Sequence, residues 1–445
     1  MKFRGLLVAV VLLAALGGAA YWSNKKEKTD ANKPPADAPP KILNIPSEQF
    51  KEIDLKKKNG ESTGVVKIEG KWQIMQPKPL PADQDSVGSL VSSLSSLTSD
   101  RLVEDKAGDL SQYGLNAPTE EVKITQKDGK AATLLLGDDT PTGSGVFARL
   151  DNDPRIFIVA SYVKSSLDKT PNDLRDKRLL TFDSDKLTRV DLTAKGPTIE
   201  FGKNNQNEWQ ILKPRPLRAD GLQVDELVRK LKDAKMDVSS SDAEAVKKAA
   251  AGFATGARVA VAAVSDARGT QQLEVHKDKD KNYWAKSSVV EGIFKAGNDL
   301  GDGLDKGLDD FRNKKLFDFG WNDPGKLEIR NGASQATYQK SGDKWMSGSK
   351  QMDGPSVQNL IDKMRDLTST KFLDAGNGAS IFDATVTSND GKRVEKVSFW
   401  KQGDKYLARR ENEPTVYELD AKPVEDLQKA AGEVKEFQPP KSGKK

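Results

Sequence analysis

Cysteine is absent from this 445-residue chain. That excludes disulfides, thiolate metal sites, a thiol nucleophile and lipid attachment through a cysteine. Histidine is nearly absent: His276 stands alone, so the commonest general base and metal ligand has no second copy to work with. A run of one charge sign is missing as well. Lys and Arg number 71 against 66 Asp and Glu, a net +5. The signs are interleaved, as in Lys277-Asp278-Lys279-Asp280, which reads as solvated faces and not as a nucleic-acid surface. No P-loop, G-x-G-x-x-G run or H-E-x-x-H helix occurs. Gly143-Ser144-Gly145 resembles part of a nucleophile elbow, but it sits in a Thr/Gly/Ser hairpin loop with no positioned base. The sequence therefore offers no catalytic, cofactor-binding or metal-binding set, and the expectation is a non-enzymatic protein.

One long uncharged run is present. Gly5 to Trp22 follows the basic start Met1-Lys2-Phe3-Arg4 and is dominated by Leu, Val and Ala. As a helix it would span about 27 Å, close to the hydrocarbon thickness of a bilayer. Tyr21 and Trp22 sit where interfacial aromatics belong. Two readings compete: an uncleaved signal anchor over residues 1–23, or a signal peptide cut near Gly18-Ala19-Ala20. The run is longer than a usual signal core, which favours the anchor. Either way the bulk of the chain is expected on the periplasmic side of a bacterial inner membrane, tethered as a single-pass protein through residues 5–22. Residues 24–47, with Pro34-Pro35 and Pro39-Pro40, read as an extended linker. Residues 438–445 read as a basic disordered tail.

Between linker and tail the chain repeats itself. Trp72 recurs as Trp209, 137 residues later, and as Trp345, 136 later. Trp72-Gln73-Ile74, Pro77-Lys78-Pro79-Leu80 and Ala82-Asp83 match Trp209-Gln210-Ile211, Pro214-Arg215-Pro216-Leu217 and Ala219-Asp220 at one offset. Ile53-Asp54-Leu55 matches Val190-Asp191-Leu192 and Leu327-Glu328-Ile329. Phe147-Ala148-Arg149 matches Trp284-Ala285-Lys286 and Leu407-Ala408-Arg409. Asp173-Leu174-Arg175 returns as Asp310-Phe311-Arg312. The copies are set at 48–180, 181–318 and 319–437.

Within a copy, Phe50–Leu55 and Gly64–Glu69 alternate as half-buried strands around an Asn59-Gly60 turn, and Gly70–Ile74 adds a third. Prolines end it. Val87, Leu90, Val91, Leu94 and Leu97 form a helical apolar stripe capped by Asp83, and Val224, Leu227, Val228 and Leu231 repeat it behind Asp220. Four strand candidates and a short helix over Tyr162–Leu167 follow. The expected module is βββ-α-ββββ-α, mostly antiparallel, in an α+β fold with three tandem copies.

The tempting sites read as structural. The repeated tryptophans anchor each core. Asn298 to Asp310 is Asp- and Gly-rich, yet lacks the spacing and terminal Glu of a calcium loop. His276 reads as a surface strand residue. Arg149, Lys286 and Arg409, and likewise Arg175 and Arg312, read as holding carboxylates within or between copies.

These residues resemble a bacterial family called domain of unknown function 4340. The resemblance rests on Tyr113-Gly114-Leu115-Asn116-Ala117-Pro118, Gly70-Lys71-Trp72, Val146-Phe147-Ala148-Arg149 with Ile156-Phe157-Ile158-Val159, and the Asp173–Lys177 close. The third copy departs from it, with Asp374-Ala375-Gly376-Asn377 in place of the Tyr-Gly-Leu segment. The resemblance implies a membrane segment and an accessory role beside gliding-type ABC transporter components. The expected function is a membrane-anchored scaffold or adaptor with protein partners in the envelope. A second reading is a module binding a small ligand or envelope polymer in clefts between copies. A third, a carboxylate hydrolase, requires a paired buried carboxylate site in one copy only.

Overall fold

A computed structural model describes residues 40–239 and 242–439. The segment 1–23 read as a membrane anchor, the linker up to residue 39 and the tail from residue 440 lie outside the described residues. Among the described residues no helix is long and apolar enough to cross a membrane.

The first module runs β1 (Phe50–Lys57), β2 (Ser62–Ile68), β3 (Lys71–Gln76), β4 (Leu80–Pro81), α1 (Gln84–Ser95), β5 (Arg101–Glu104), β6 (Glu120–Gln126), β7 (Ala131–Asp139), β8 (Gly145–Leu150), β9 (Ile156–Ala160), α2 (Ser161–Leu167) and α3 (Pro171–Leu174). The strands form one antiparallel sheet in the order β4-β3-β2-β1-β6-β7-β8-β9-β5. The third module repeats that order, and the second repeats it without the last strand. The expected α+β repeat is therefore present as three sheet modules. Described residues up to Lys177 form one compact unit; residues from Arg178 form a second, which holds two modules.

Alternation builds each core. Ile53, Leu55, Val65, Ile74, Val122, Ile124, Leu134 and Leu136 point to one face of the first sheet and are fully or almost fully buried. They meet Val87, Leu90, Val91 and Leu94 of α1, with Val163 and Leu167 of α2. Period 2 on the strands and period 3.6 on the helix thus close one layer on the other.

The module boundaries lie a few residues earlier than the sequence reading placed them. Ile42, Leu43 and Ile45, assigned to the linker, are buried in the first core. Leu179, Leu180 and Phe182 open the second core, and Leu316, Phe317 and Phe319 the third. These triplets recur at the common offset, but the boundaries at 181 and 319 split the second and third, leaving Leu179, Leu180, Leu316 and Phe317 in the preceding copy, and the first lies in the stretch assigned to the linker.

Asp83 caps α1 by accepting from the Ser86 amide at 2.8 Å. Asp220 does so for helix Gly221–Lys232 and Asp353 for helix Gly354–Asp366. Asp83→Ala is expected to lower stability by about 1 kcal/mol, read as a shift of the urea midpoint at constant slope.

The opposite face of each sheet has its own small cover, and the three covers differ. In the first module Tyr113 and Leu115 lie over Ile156, Phe147 and Leu135. Tyr113 meets Phe147 edge-on at 4.9 Å. Gly114 is left-handed (φ 67°), and a Cβ there would lie 2.5 Å from Asp138. This accounts for the Tyr-Gly-Leu run: the tyrosine covers, the glycine turns and the leucine plugs. In the second module the Ala-rich stretch forms helix Ala243–Thr255 over the same region. A Cβ on Gly252 would come within 2.3 Å of the Trp284 indole nitrogen. In the third, a short segment lays Gly378 against Trp400, which clusters with Leu407 and Val416.

Candidate functional site

The structure places the singled-out residues mostly inside the architecture. Trp72, Trp209 and Trp345 are 6–8 % exposed and belong to the three cores. Gln84 brackets Trp72, accepting from its amide at 2.8 Å and donating to its carbonyl at 2.9 Å. The Trp209 ring donates to Asp225 at 2.7 Å.

The Asp-rich stretch is helix Asn298–Leu304 followed by a turn at Leu308–Asp310. Its carboxylates are engaged: Asp299 with Lys230, Asp305 with Lys195, Asp309 with Arg312, Asp302 with the Tyr283 hydroxyl, and Asp310 with its own turn amide at Gly307.

His276 differs from its expected place on an open strand surface. Helix Ala243–Thr255 lies over it. The ring stacks on Phe253 at 3.9 Å, and its nitrogens contact the Phe253 carbonyl at 2.7 Å and Glu274 at 2.9 Å. A β-strand histidine gave no sign of this, because the covering helix belongs to the second module alone.

The repeated basic positions hold local structure. Arg149 donates to the carbonyls of Asp153 and Asp151, closing its own hairpin. Arg409 donates to the Gly376 carbonyl in the cover of the third module. Arg312 does more. It is 6 % exposed, pairs with Asp309 at 3.1 Å, and donates to Thr415 of the third module at 3.0 Å. Its guanidinium lies 3.6 Å from the Phe372 ring centroid.

Arg312 thereby helps to define the seam between the second and third modules. Arg218, at the end of strand Leu217–Arg218, pairs with Glu413 at 2.9 Å and donates to the Lys315 carbonyl and the Tyr417 hydroxyl. Tyr417 in turn donates to Glu413 at 2.6 Å, and burial pushes its hydroxyl above the ordinary tyrosine range. Arg215 with Asp374 and Arg393 with Glu208 add ion pairs at the rim. What remains between these groups is a cavity of about 30 Å³ lined by Arg218, Arg312, Phe372, Glu413 and Tyr417 among others. That is room for about one water molecule, whereas pockets for small ligands run to about 300 Å³ or more. The seam is filled and charge-paired.

One residue that the sequence reading passed over is specific to the first module. Glu120 opens β6 and is 4 % exposed. It faces inward with Val122 and Ile124, two and four residues on. At the matching register the second module has Ala260 and the third Phe382. Its Oε1 has no hydrogen-bond partner among the described residues. Burial, reinforced by the charge of Asp168, pushes its carboxyl up to about 7 against the opposing pull of Lys57, Lys164 and Lys169. Asp168 is itself ion-paired with Lys57, which stands opposite Glu120 across the β1–β6 ladder. The signal was available: Glu120 keeps the period-2 phase of the core positions while breaking their chemistry. The arrangement can exchange one proton near neutral pH, but Asp168 is not a free second carboxylate beside it.

The fold thus defines a tandem-repeat α+β protein whose modules share one sheet order and differ in their outer covers. The family model for a domain of unknown function, DUF4340, matches residues 72–210 and again 209–385, and the chain belongs to that family. The two matches begin at Trp72 and Trp209, so the matched frame runs from the third strand of one sheet into the next module and not from module edge to module edge. No curated protein and no solved structure matches the chain.

Proposed function

We propose that the chain is a non-enzymatic scaffold or adaptor, tethered to the bacterial inner membrane by residues 5–22 and held on the extracytoplasmic side, where it serves envelope protein partners such as ABC transporter components. The observation that carries this reading is the seam between the second and third modules. The buried Arg312, the half-buried Arg218, aromatic contact and ion pairs join two sheet modules with no ligand-sized space between them, which suits a body that presents several surfaces in a fixed relation. The uncharged run from Gly5 to Trp22 supports the tether. The three unlike outer covers support distinct contacts per module, since residues that vary between copies on a constant framework are where recognition is placed.

The test is crosslinking in intact cells, detergent extraction and purification through a tag on the full chain. A membrane-protein partner recovered in stoichiometric amount is the expected result. Recovery of the chain alone, with crosslinking efficiency confirmed on a known complex, overturns the proposal.

A further inference from the structure

A hollow of about 370 Å³ opens at one end of the first sheet, lined by Phe50, Lys51, Lys67, Gly70 and Lys127. Three of its lining residues are lysines and none is acidic. The setting makes this unusual. Along this chain the two signs are interleaved, and lysines nearby are paired: Lys56 with Glu121, Lys57 with Asp168, Lys130 with Asp128. None of Lys51, Lys67 and Lys127 makes an ion pair among the described residues. The acid next to Lys127 in sequence, Asp128, is held by Lys130 at 2.7 Å.

The strand register brings the three together. Ile53 stands opposite Val65 on one side and Ile124 on the other. Two residues before Ile53 is Lys51, two beyond Val65 is Lys67 and three beyond Ile124 is Lys127, so the three lysines gather at the same sheet end. Gly70, at φ 82°, turns the hairpin there without a side chain to fill the space. The Lys67 ammonium also lies 5.6 Å from the Trp72 ring centroid, a cation–π contact that holds this side chain at the sheet end.

The other modules do not keep the triplet. By the same registers, Lys51 corresponds to Thr188 and Gly325, and Lys127 to Ala267 and Asn389. Only Lys67 recurs, as Lys203 and Lys340. The recurring lysine has the structural task of covering its tryptophan, as Lys203 does for Trp209 at 4.9 Å. The two added lysines have no such task in the fold. Unpaired like charges around one hollow repel one another, and the repulsion is relieved when an anion sits among them.

We infer that this hollow in the first module binds a phosphate-bearing ligand. Lysine ammoniums act as point charges toward phosphate oxygens, and the hollow is large enough for a phosphorylated headgroup or a free phosphate compound. The two sources share that chemistry, and the experiment separates them. The full chain is reconstituted in vesicles of phosphatidylcholine alone, with and without added inorganic pyrophosphate, and in vesicles that also contain phosphatidylglycerol. Surface lysines are then acetylated briefly and quantified by mass spectrometry.

The expected result is slowed acetylation of Lys51, Lys67 and Lys127 relative to exposed lysines elsewhere, such as Lys422. Protection by pyrophosphate in neutral vesicles assigns a soluble phosphate ligand. Protection only with phosphatidylglycerol assigns a lipid headgroup. Unchanged reactivity at all three lysines in both arms overturns the inference. Binding to the protecting ligand should fall about 5-fold for Lys51→Gln or Lys127→Gln and about 100-fold when Lys67→Gln is added to both. The side chains are at the surface, so an unchanged melting curve shows that folding is intact. Equal binding by the triple variant overturns the assignment as well.

Discussion

Arg410→Ser is expected to cost about 3–5 kcal/mol of folding stability, the range for removing one partner of a buried ion pair. The Arg410 guanidinium sits between Glu395 at 3.0 Å and Glu413 at 2.7 Å and donates to the Leu316 carbonyl. Glu413 keeps Arg218 and Tyr417 when Arg410 is lost. Glu395 fares worse. Its side chain is only 2 % exposed, with Arg393 no nearer than 3.7 Å, so an almost fully buried carboxylate would be left with the Asp318 amide as its main partner. The second module shows how the same place is filled without charge. Gln271 stands at the Glu395 register and accepts from the Thr181 amide at 2.8 Å, as Glu395 does from Asp318. Ser287 stands at the Arg410 register and donates to the Leu179 carbonyl, the counterpart of Leu316. The double variant Glu395→Gln, Arg410→Ser therefore rebuilds a neutral solution that the fold already uses. It should recover more than half of the loss, the remainder being the volume of the missing guanidinium. Urea unfolding of the four proteins of the cycle measures the coupling. A double variant as unstable as Arg410→Ser alone would show that the cost is lost packing and not an uncompensated charge.

That comparison also shows what the sequence makes legible and what it hides. The repeat was readable because Trp72, the Pro-x-Pro turn and the capping aspartate recur in the second copy at one offset, and each holds the same place in its module. The core helices were readable because Val87, Leu90, Val91 and Leu94 keep a helical phase. The closing edge strands, Arg101–Glu104 and Lys371–Leu373, were not read, because three or four residues carry no periodicity to recognise. Glu395 was hidden for a different reason. In Val394-Glu395-Lys396 the valine is 60 % exposed and the glutamate buried, the reverse of what polarity predicts. Only its pairing with Arg410, 15 positions along the chain, makes that inversion tolerable, and a single sequence does not announce such a pairing. The basic hollow was hidden by distance too: Lys51, Lys67 and Lys127 look like ordinary members of an interleaved charge pattern until the ladders place them at one sheet end.

Glu120→Gln should stabilise the first module by about 3 kcal/mol above neutral pH and leave it nearly unchanged at pH 4. The sign follows from where the proton is held. The native carboxyl is pushed up to about 7 by burial first and by Asp168 second, while an unfolded chain returns it to its ordinary value of 4.5. Between those values the native state keeps a proton that the unfolded state has released. Native stability therefore falls as pH rises through that window and levels off above it, where both states are ionised and the native one carries a buried charge. Glutamine occupies the same volume without ionising, so its advantage grows over the same window. The opposing lysines set a limit on the effect. Lys57 is committed to Asp168, a hydrogen bond that raises its own pKa, and Asp168→Asn would release it toward Glu120. That second variant should lower the Glu120 carboxyl and shrink the stabilising effect of Glu120→Gln at pH 8. Thermal unfolding followed from pH 4 to pH 9 for wild type, each single variant and the pair measures both effects. A pH-independent difference between Glu120→Gln and wild type would mean that the carboxyl titrates no differently in the folded and unfolded chain, and that water reaches it.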